Sequence, residues 1–244
     1  MRSNPVTKKL SKCFALFSFL CFSLCVSASP KIDNWQTANG VQVYFVEAPE
    51  IPMIDVRLVY KAGSAQDGEK HGIASLTASL MDEGAGDMDA NAFNDKLADT
   101  GASFGAGALR DMAWISMRTL SEAKYATPAL ELFRQVAKAP RFAEQAVKRA
   151  KTGTISRIRR EASSPGTIAN KALRRAVFGE HPYAHPTQGD EDTVDAITQA
   201  DIKSFHGRYY VAENAILAMV GALSKEQAVS LADELTADLP SGKP

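Results

Sequence analysis

Two short stretches of this chain space their residues as a metal site would, and neither completes one. In "HGIASLTASLMDEGAG", His71 to Gly86, Ser75, Ala78 and Ser79 stand at i, i+3 and i+4. On a helix these three share a face, where a zinc-binding helix sets two ligands and a general base. Two hydroxyls and a methyl group supply neither. In "HPYAHP" the imidazoles are present at i, i+4, but Pro182 and Pro186 push His181 and His185 out of helical conformation. Position 184 is alanine where an inverted zinc motif needs glutamate, so the two are read as structural histidines in a rigid loop. His71, at the start of the helix, reads as a capping or surface residue; with Asp82 or Glu83 it could begin a non-standard metal site, which would need a third ligand.

The elements that must position these residues follow from periodicity. Ile73, Leu76 and Leu80 form a buried stripe on a helix expected over 72–82, stopped by Gly84 and Gly86. Before it, "GVQVYFVEA" and "MIDVRLVYKAGS" alternate as two strands, expected to pair with each other. After it, Phe93, Leu97 and Ala98 mark a helix closed by Gly101, and "SFGAGALRD" with "MAWISMRTL" make a hairpin around Arg110 and Asp111. Helices are expected over 126–138, 143–162, 165–178, 200–210 and 224–235, with "NAILAMVGAL" as a further strand. The class expected is α+β, with one mainly antiparallel sheet covered by helices on one face.

Residues 1–28 read as a signal peptide: Arg2, Lys8, Lys9 and Lys12 precede the apolar run Cys13–Val26, and the V-x-A pattern sets cleavage after Ala28. The run is shorter than the ~20 residues a membrane span needs, so export without a stable membrane anchor, to the periplasm or outside, is expected. All three cysteines fall in this segment, which leaves the mature chain without a thiol. It also removes four positive charges, so 28 basic and 28 acidic residues become 24 and 28. A mildly acidic chain argues against nucleic-acid binding. Residues 29–238 are expected to form the domain, and the Pro- and Gly-rich 239–244 a linker toward a further one. The basic run Lys148, Arg149, Lys151, Arg157, Arg159, Arg160, with Arg174 and Arg175, reads as a solvated face or a docking surface for an acidic peptide or partner.

"GIASLTASLMDEGA" resembles, in frame, the G-L-A-H-L-L-E-H-M-L-F-K-G-T helix of the insulinase/pitrilysin zinc peptidases. The resemblance continues through "TGASFGAGALRDMAWISMRTL" and is most specific in "FGEHPYAHPTQGDEDTVDAITQADIKSFHGRYYVAENAILAMVGALS". In that family H-x-x-E-H gives two ligands and the base, and a glutamate on a later helix gives the third ligand. Carried over, these fall on Ser75, Ala78 and Ser79, and on Arg157 or its neighbour Ser156. The resemblance therefore implies a non-catalytic member with no cofactor of its own, zinc belonging to a partner subunit that carries H-x-x-E-H. It further implies that Ser103, Phe104, Gly105, Ala106 and Gly107, through Ala108, form an edge strand to which an extended peptide adds. The alternative for that strand is an internal position whose glycines relieve packing against the helix at 72–82; proline at Gly105 is the variant expected to remove a free main-chain donor. The alternative functions are a stand-alone peptide-binding module and an active zinc peptidase with non-standard ligands.

Overall fold

Alternating side chains give the main sheet one dry face and one wet face. In the computed structural model, which describes residues 30–244, Val43, Phe45, Ile54, Val56, Leu58, Tyr60, Ile115, Met117, Leu217 and Met219 are buried on one side. Tyr44, Ile216 and Val220, their neighbours in sequence, are exposed on the other. The strands are β1 (Asp33–Gln36), β2 (Gln42–Glu47), β3 (Met53–Tyr60), β6 (Ser103–Ala108), β7 (Ala113–Leu120) and β8 (Ala215–Gly221), in the order β1-β2-β8-β3-β7-β6. A separate two-stranded hairpin pairs β4 (Gly84–Ala85) with β5 (Met88–Asp89). The signal-peptide reading of 1–28 lies outside the described residues. Ile32–Pro244 form one compact unit.

The class is the expected α+β, with a sheet that is mixed rather than purely antiparallel. The expected pairing of β2 with β3 is wrong. β8 lies between them, parallel to β2 from Gln42↔Ile216 to Glu47↔Gly221 and antiparallel to β3 from Ile54↔Gly221 to Tyr60↔Ala215. Two strands adjacent in sequence can be joined only if no better partner competes, and the near-continuously apolar "AILAMVG" is suited to a central place with neighbours on both sides.

The helices are α1 (Ile73–Ser79), α2 (Ala90–Thr100), α3 (Ala123–Lys138), α4 (Glu144–Glu161), α5 (Pro165–Phe178), α6 (Glu191–Ala196), α7 (Gln199–Tyr209) and α8 (Lys225–Thr236). Gly101, at φ 65, closes α2 as expected. α1 is shorter than expected and does not reach 82. Leu80 caps it, and the chain is then drawn into the β4–β5 hairpin, so Leu80 is buried from a turn rather than from a helix. The short α6, held by a reciprocal capping box of Asp190 and Thr193, and strand β1 were not expected. The packed region also runs past 238: Leu239 is buried, and the Ala212 amide donates to the Pro240 carbonyl. No residue of α5 is buried, and Ile168, Leu173 and Val177 are exposed along it. Among the described residues no helix is long and apolar enough to cross a membrane.

His206 on α7 shows how the core constrains titration. Its ring stacks on Tyr210 at 4.6 Å and meets Phe142 edge-on at 5.3 Å, and its Nε2 has no partner among the described residues. Burial pushes its pKa down to about 4. Between that value and the ordinary ~6.5 the unfolded chain takes up a proton that the folded chain refuses, so stability falls as pH drops through this window. His206→Phe keeps the ring contacts and removes the titration. We expect wild type to lose about 2 kcal/mol relative to His206→Phe on going from pH 7 to pH 5 in urea denaturation. Parallel pH profiles for the two proteins would refute this.

Candidate peptide-binding surface

The helix that carries the blank triad is fixed by its own approach loop. The Asp67 carboxylate accepts from the amides of Gly72 at 2.7 Å and Ala74 at 3.1 Å, so Asp67, not His71, caps α1. Burial pushes the Asp67 pKa up to about 7 against the pull of those two amide hydrogen bonds. In the same loop Lys70 pairs with Asp201 of α7 and, with the Thr198 contacts, holds that carboxyl down to about 2. The only sequence signal for Asp67 was an acid shortly before a helix, at a spacing longer than a normal cap.

His71 turns aside instead and stacks flat on His185, with ring centroids 3.9 Å apart at 8°. The two loops meet backbone to backbone. Gly72 adopts φ +97 and Gly189 φ +76, and a Cβ on Gly189 would lie 2.2 Å from the His71 carbonyl oxygen. Thr193 Oγ1 donates to that same oxygen at 2.9 Å. His181 accepts the Tyr183 amide at 3.2 Å on Nδ1, the structural role expected for it.

The three motif positions do not share one open face. Ser75 is half-buried and Ser79 is exposed, its hydroxyl donating to the Leu76 carbonyl at 2.9 Å, while Ala78 is only 1 % exposed. On α4, which packs against α1, Arg157 is exposed and Ser156 half-buried. These residues do not fit zinc: they present no imidazole and no carboxylate. The other proposed starting point is dispersed, since Glu83 pairs with Arg149 at 2.7 Å while His71 packs on His185. Among the described residues no three of His, Cys, Asp and Glu converge as a metal site would need. Of the basic run, Arg149 and Arg159 are paired with Glu83 and Glu191, and Lys151 donates to the carbonyls of Asp195 and Ile197.

β6 ends the sheet, with β7 its one neighbour there. Its glycines do not face α1. Phe104, Ala106 and Ala108 pack toward the core, while Gly105 and Gly107 lie on the wet face opposite Ser116 and Trp114. A Cβ on Gly107 would be 2.6 Å from the Trp114 ring, so it is the cross-strand indole, not the helix, that requires glycine there. The Leu109 amide donates to Met112 O at 2.7 Å, which fixes the antiparallel alternation: odd residues of β6 point their main-chain groups at β7, and Phe104, Ala106 and Ala108 point theirs at the free edge. Proline at Gly105 would therefore break the β6–β7 ladder rather than remove a free donor, contrary to expectation. Beside the edge, the wet face forms a groove of about 470 Å³ lined by residues including Asp55, Arg57, Ser103, Gly105, Ser116 and Arg118, with Arg118 on Asp55 at 2.7 Å.

A helix over one face of a mixed sheet, an edge strand beside it and an H-x-x-E-H frame without its ligands define an insulinase-type domain. The family model for insulinase, peptidase family M16, matches residues 42–191, and that for the peptidase M16 inactive domain matches 196–244. The chain belongs to the insulinase family. It is 39% identical to the peptidase M16 inactive domain of Pseudomonas fluorescens, whose crystal structure superposes with a TM-score of 0.85 over 87% of this chain and 52% of that one. It is 23% identical to the non-peptidase homologue YmxG of Helicobacter pylori over 83% of this chain and 47% of that protein. The periplasmic protease PqqL of Escherichia coli shares the fold, with 18% identity and a TM-score of 0.77 over 88% of this chain and 25% of that one. The chain spans about half the length of the curated relatives it matches.

Proposed function

We propose that this chain is a non-catalytic member of the family that holds an extended peptide along the free edge of β6 and serves as partner to a zinc peptidase subunit carrying H-x-x-E-H. It is exported in this reading and holds no zinc itself. The observation that carries the proposal is the combination on one side of the domain of a motif helix without ligands and an edge strand whose Phe104, Ala106 and Ala108 main-chain groups are turned outward. Such an edge recognises main chain and so accepts many sequences, which suits a subunit that captures substrate for chemistry done elsewhere. The non-peptidase naming of a relative and the periplasmic setting of a fold neighbour agree with it.

The purified mature chain is expected to bind a labelled unstructured peptide without cleaving it, and to carry no stoichiometric zinc. Methylating alternate backbone nitrogens of the peptide should weaken binding about tenfold, because each methyl removes a donor from the added strand. Ala106→Pro, checked for folding by circular dichroism, should do the same from the protein side. Near one zinc per chain with chelator-sensitive cleavage would overturn the non-catalytic reading, and binding indifferent to N-methylation would overturn the edge. Adding an H-x-x-E-H subunit should restore cleavage of the captured peptide; no gain over that subunit alone would favour a stand-alone binding module.

A further inference from the structure

Beyond the end of β6 lies a cavity of about 810 Å³. Its walls come from four separate places: the β6–β7 turn with Leu109, Arg110 and Met112, the end of α4 with Glu161, α5 with Lys171 and Arg174, and the loop after His185 with Pro186 and Gln188. Its charges are unevenly matched. Arg110 uses Nη1 on the carbonyls of Tyr183 and His185 at 3.0 and 3.2 Å, and its guanidinium lies over the Tyr183 ring. Arg174 donates to the Asn170 side-chain oxygen at 2.8 Å. Among the described residues, none of the three cations makes a direct ion pair with a carboxylate. The two acids of the lining are held by neutral donors, Asp111 by the Tyr183 hydroxyl at 2.5 Å and Glu161 by the Gln188 amide at 2.6 Å.

Partial burial, and next the nearby Arg174 charge, hold the Arg110 guanidinium below its ordinary value, while Asp111 and Tyr183 act the other way. Two guanidiniums close enough to disfavour each other, with no carboxylate bonded between them, leave a place where an added anion would relieve the repulsion. The first turn of α5, where Gly166 and Thr167 line the cavity, has no side chain capping it.

We propose that this cavity binds the carboxylate groups of a peptide, through Arg110, Lys171 and Arg174, and so gives an otherwise sequence-blind edge a preference for acidic chains. The peptide as occupant rests on the edge-strand reading, because the Leu109–Met112 turn that closes β6 is itself a wall of the cavity. A chain paired along the edge is thereby led to the cations. Leu109, Met112 and Pro186 give the wall an apolar share beside those cations, with Leu109 and Met112 themselves partly exposed.

The test uses the full mature chain and peptides too short to depend on the edge. Blocked tetraglutamate, added in NMR titrations, should shift the amides of Gly166 and Thr167 and the Arg174 Nε–H, and blocked tetralysine should not. Tetra-alanine with a free C-terminus separates a terminal carboxylate from side-chain ones, and a response to it alone would assign the cavity to chain ends and overturn the preference for acidic chains. Lys171→Glu/Arg174→Glu should weaken tetraglutamate binding at least about tenfold, and Lys171→Gln/Arg174→Gln should weaken it less. No shift with any carboxylate peptide up to about 10 mM, or equal shifts with tetralysine, would overturn the proposal. If tetraglutamate binds while a long neutral peptide does not, the edge-strand reading fails and the cavity stands. If the neutral peptide binds with sensitivity to N-methylation while tetraglutamate leaves the cavity signals unmoved, the reverse holds.

Discussion

Gly189→Ala, the addition of one methyl group, should cost the domain about 4 kcal/mol. Two penalties act together. At φ +76 an alanine is in the left-handed region, which costs about 1 kcal/mol or more for a residue with a Cβ. The heavier penalty is steric, because that Cβ would stand 2.2 Å from the His71 carbonyl oxygen and 2.8 Å from its carbon. The obstacle is backbone, so no side chain can swing away. The loop after Pro186 must lift off His71, which breaks the Thr193 hydrogen bond to the same oxygen and parts the stacked rings of His71 and His185. Gly72→Ala strikes the same junction from the other side, with a Cβ 2.6 Å from the Gln188 oxygen. Once either has separated the loops the other has less to disrupt, so the double variant should lose clearly less than the sum of the two. Urea denaturation measures all three; a loss under about 1 kcal/mol for Gly189→Ala would show that the loops part freely.

Ala78→Glu should be the next most damaging, at about 3 kcal/mol at neutral pH, although it restores the family's own residue. Ala78 is 1 % exposed, between the buried Leu76 and Thr77 on one side and Leu80 on the other. A glutamate there must keep a carboxyl out of water. Its pKa in the folded state would rise, so the folded chain would hold a proton that the unfolded chain releases, and the deficit would grow as pH rises from 5 to 8. Ala78→Gln separates size from charge and should show a deficit that does not change with pH. An Ala78→Glu protein as stable as Ala78→Gln at every pH would mean that the carboxylate finds a way to solvent. The expected outcome makes the loss of the metal motif a change of packing as well as of ligands, so putting the three residues back by themselves would not rebuild a site.

What could be read in the sequence was what is decided locally. Phe93, Leu97 and Gly101 specify α2 because period and cap both lie within a dozen residues, and the β6–β7 hairpin turns where Arg110 and Asp111 interrupt the alternation. The in-frame match of Ser75, Ala78 and Ser79 to a metal motif needed only spacing. What could not be read depends on residues far apart. β2 and β3 carry identical signals whether they pair with each other or admit a third strand, and the third strand lies about 160 residues along the chain. Spacing put Ala78 on the face of Ser75 and Ser79 but could not say that Ala78 is buried while Ser79 stays exposed. Nor could it show that Asp67, from a loop, would take over the capping of α1. The orientation of β6, on which Gly105 turns out to be the wrong place for a proline, follows from a single turn hydrogen bond that no residue type announces.

The central place of β8 sets an order of assembly. Residues 215–221 come about 160 residues after β3, yet among the described residues they are the only strand that joins the β1–β2 ribbon to the β3–β7–β6 half of the sheet. Until they arrive, β2 and β3 each carry an unsatisfied edge, and the apolar face formed by Val43, Phe45, Ile54, Val56 and Leu58 has no continuous floor. Closure of the sheet therefore waits for a long loop to be drawn shut, which slows folding. For a chain made from its N-terminus this is a timer: the sheet cannot close, and β6 cannot become the edge of a finished sheet, before residue 221 has been made.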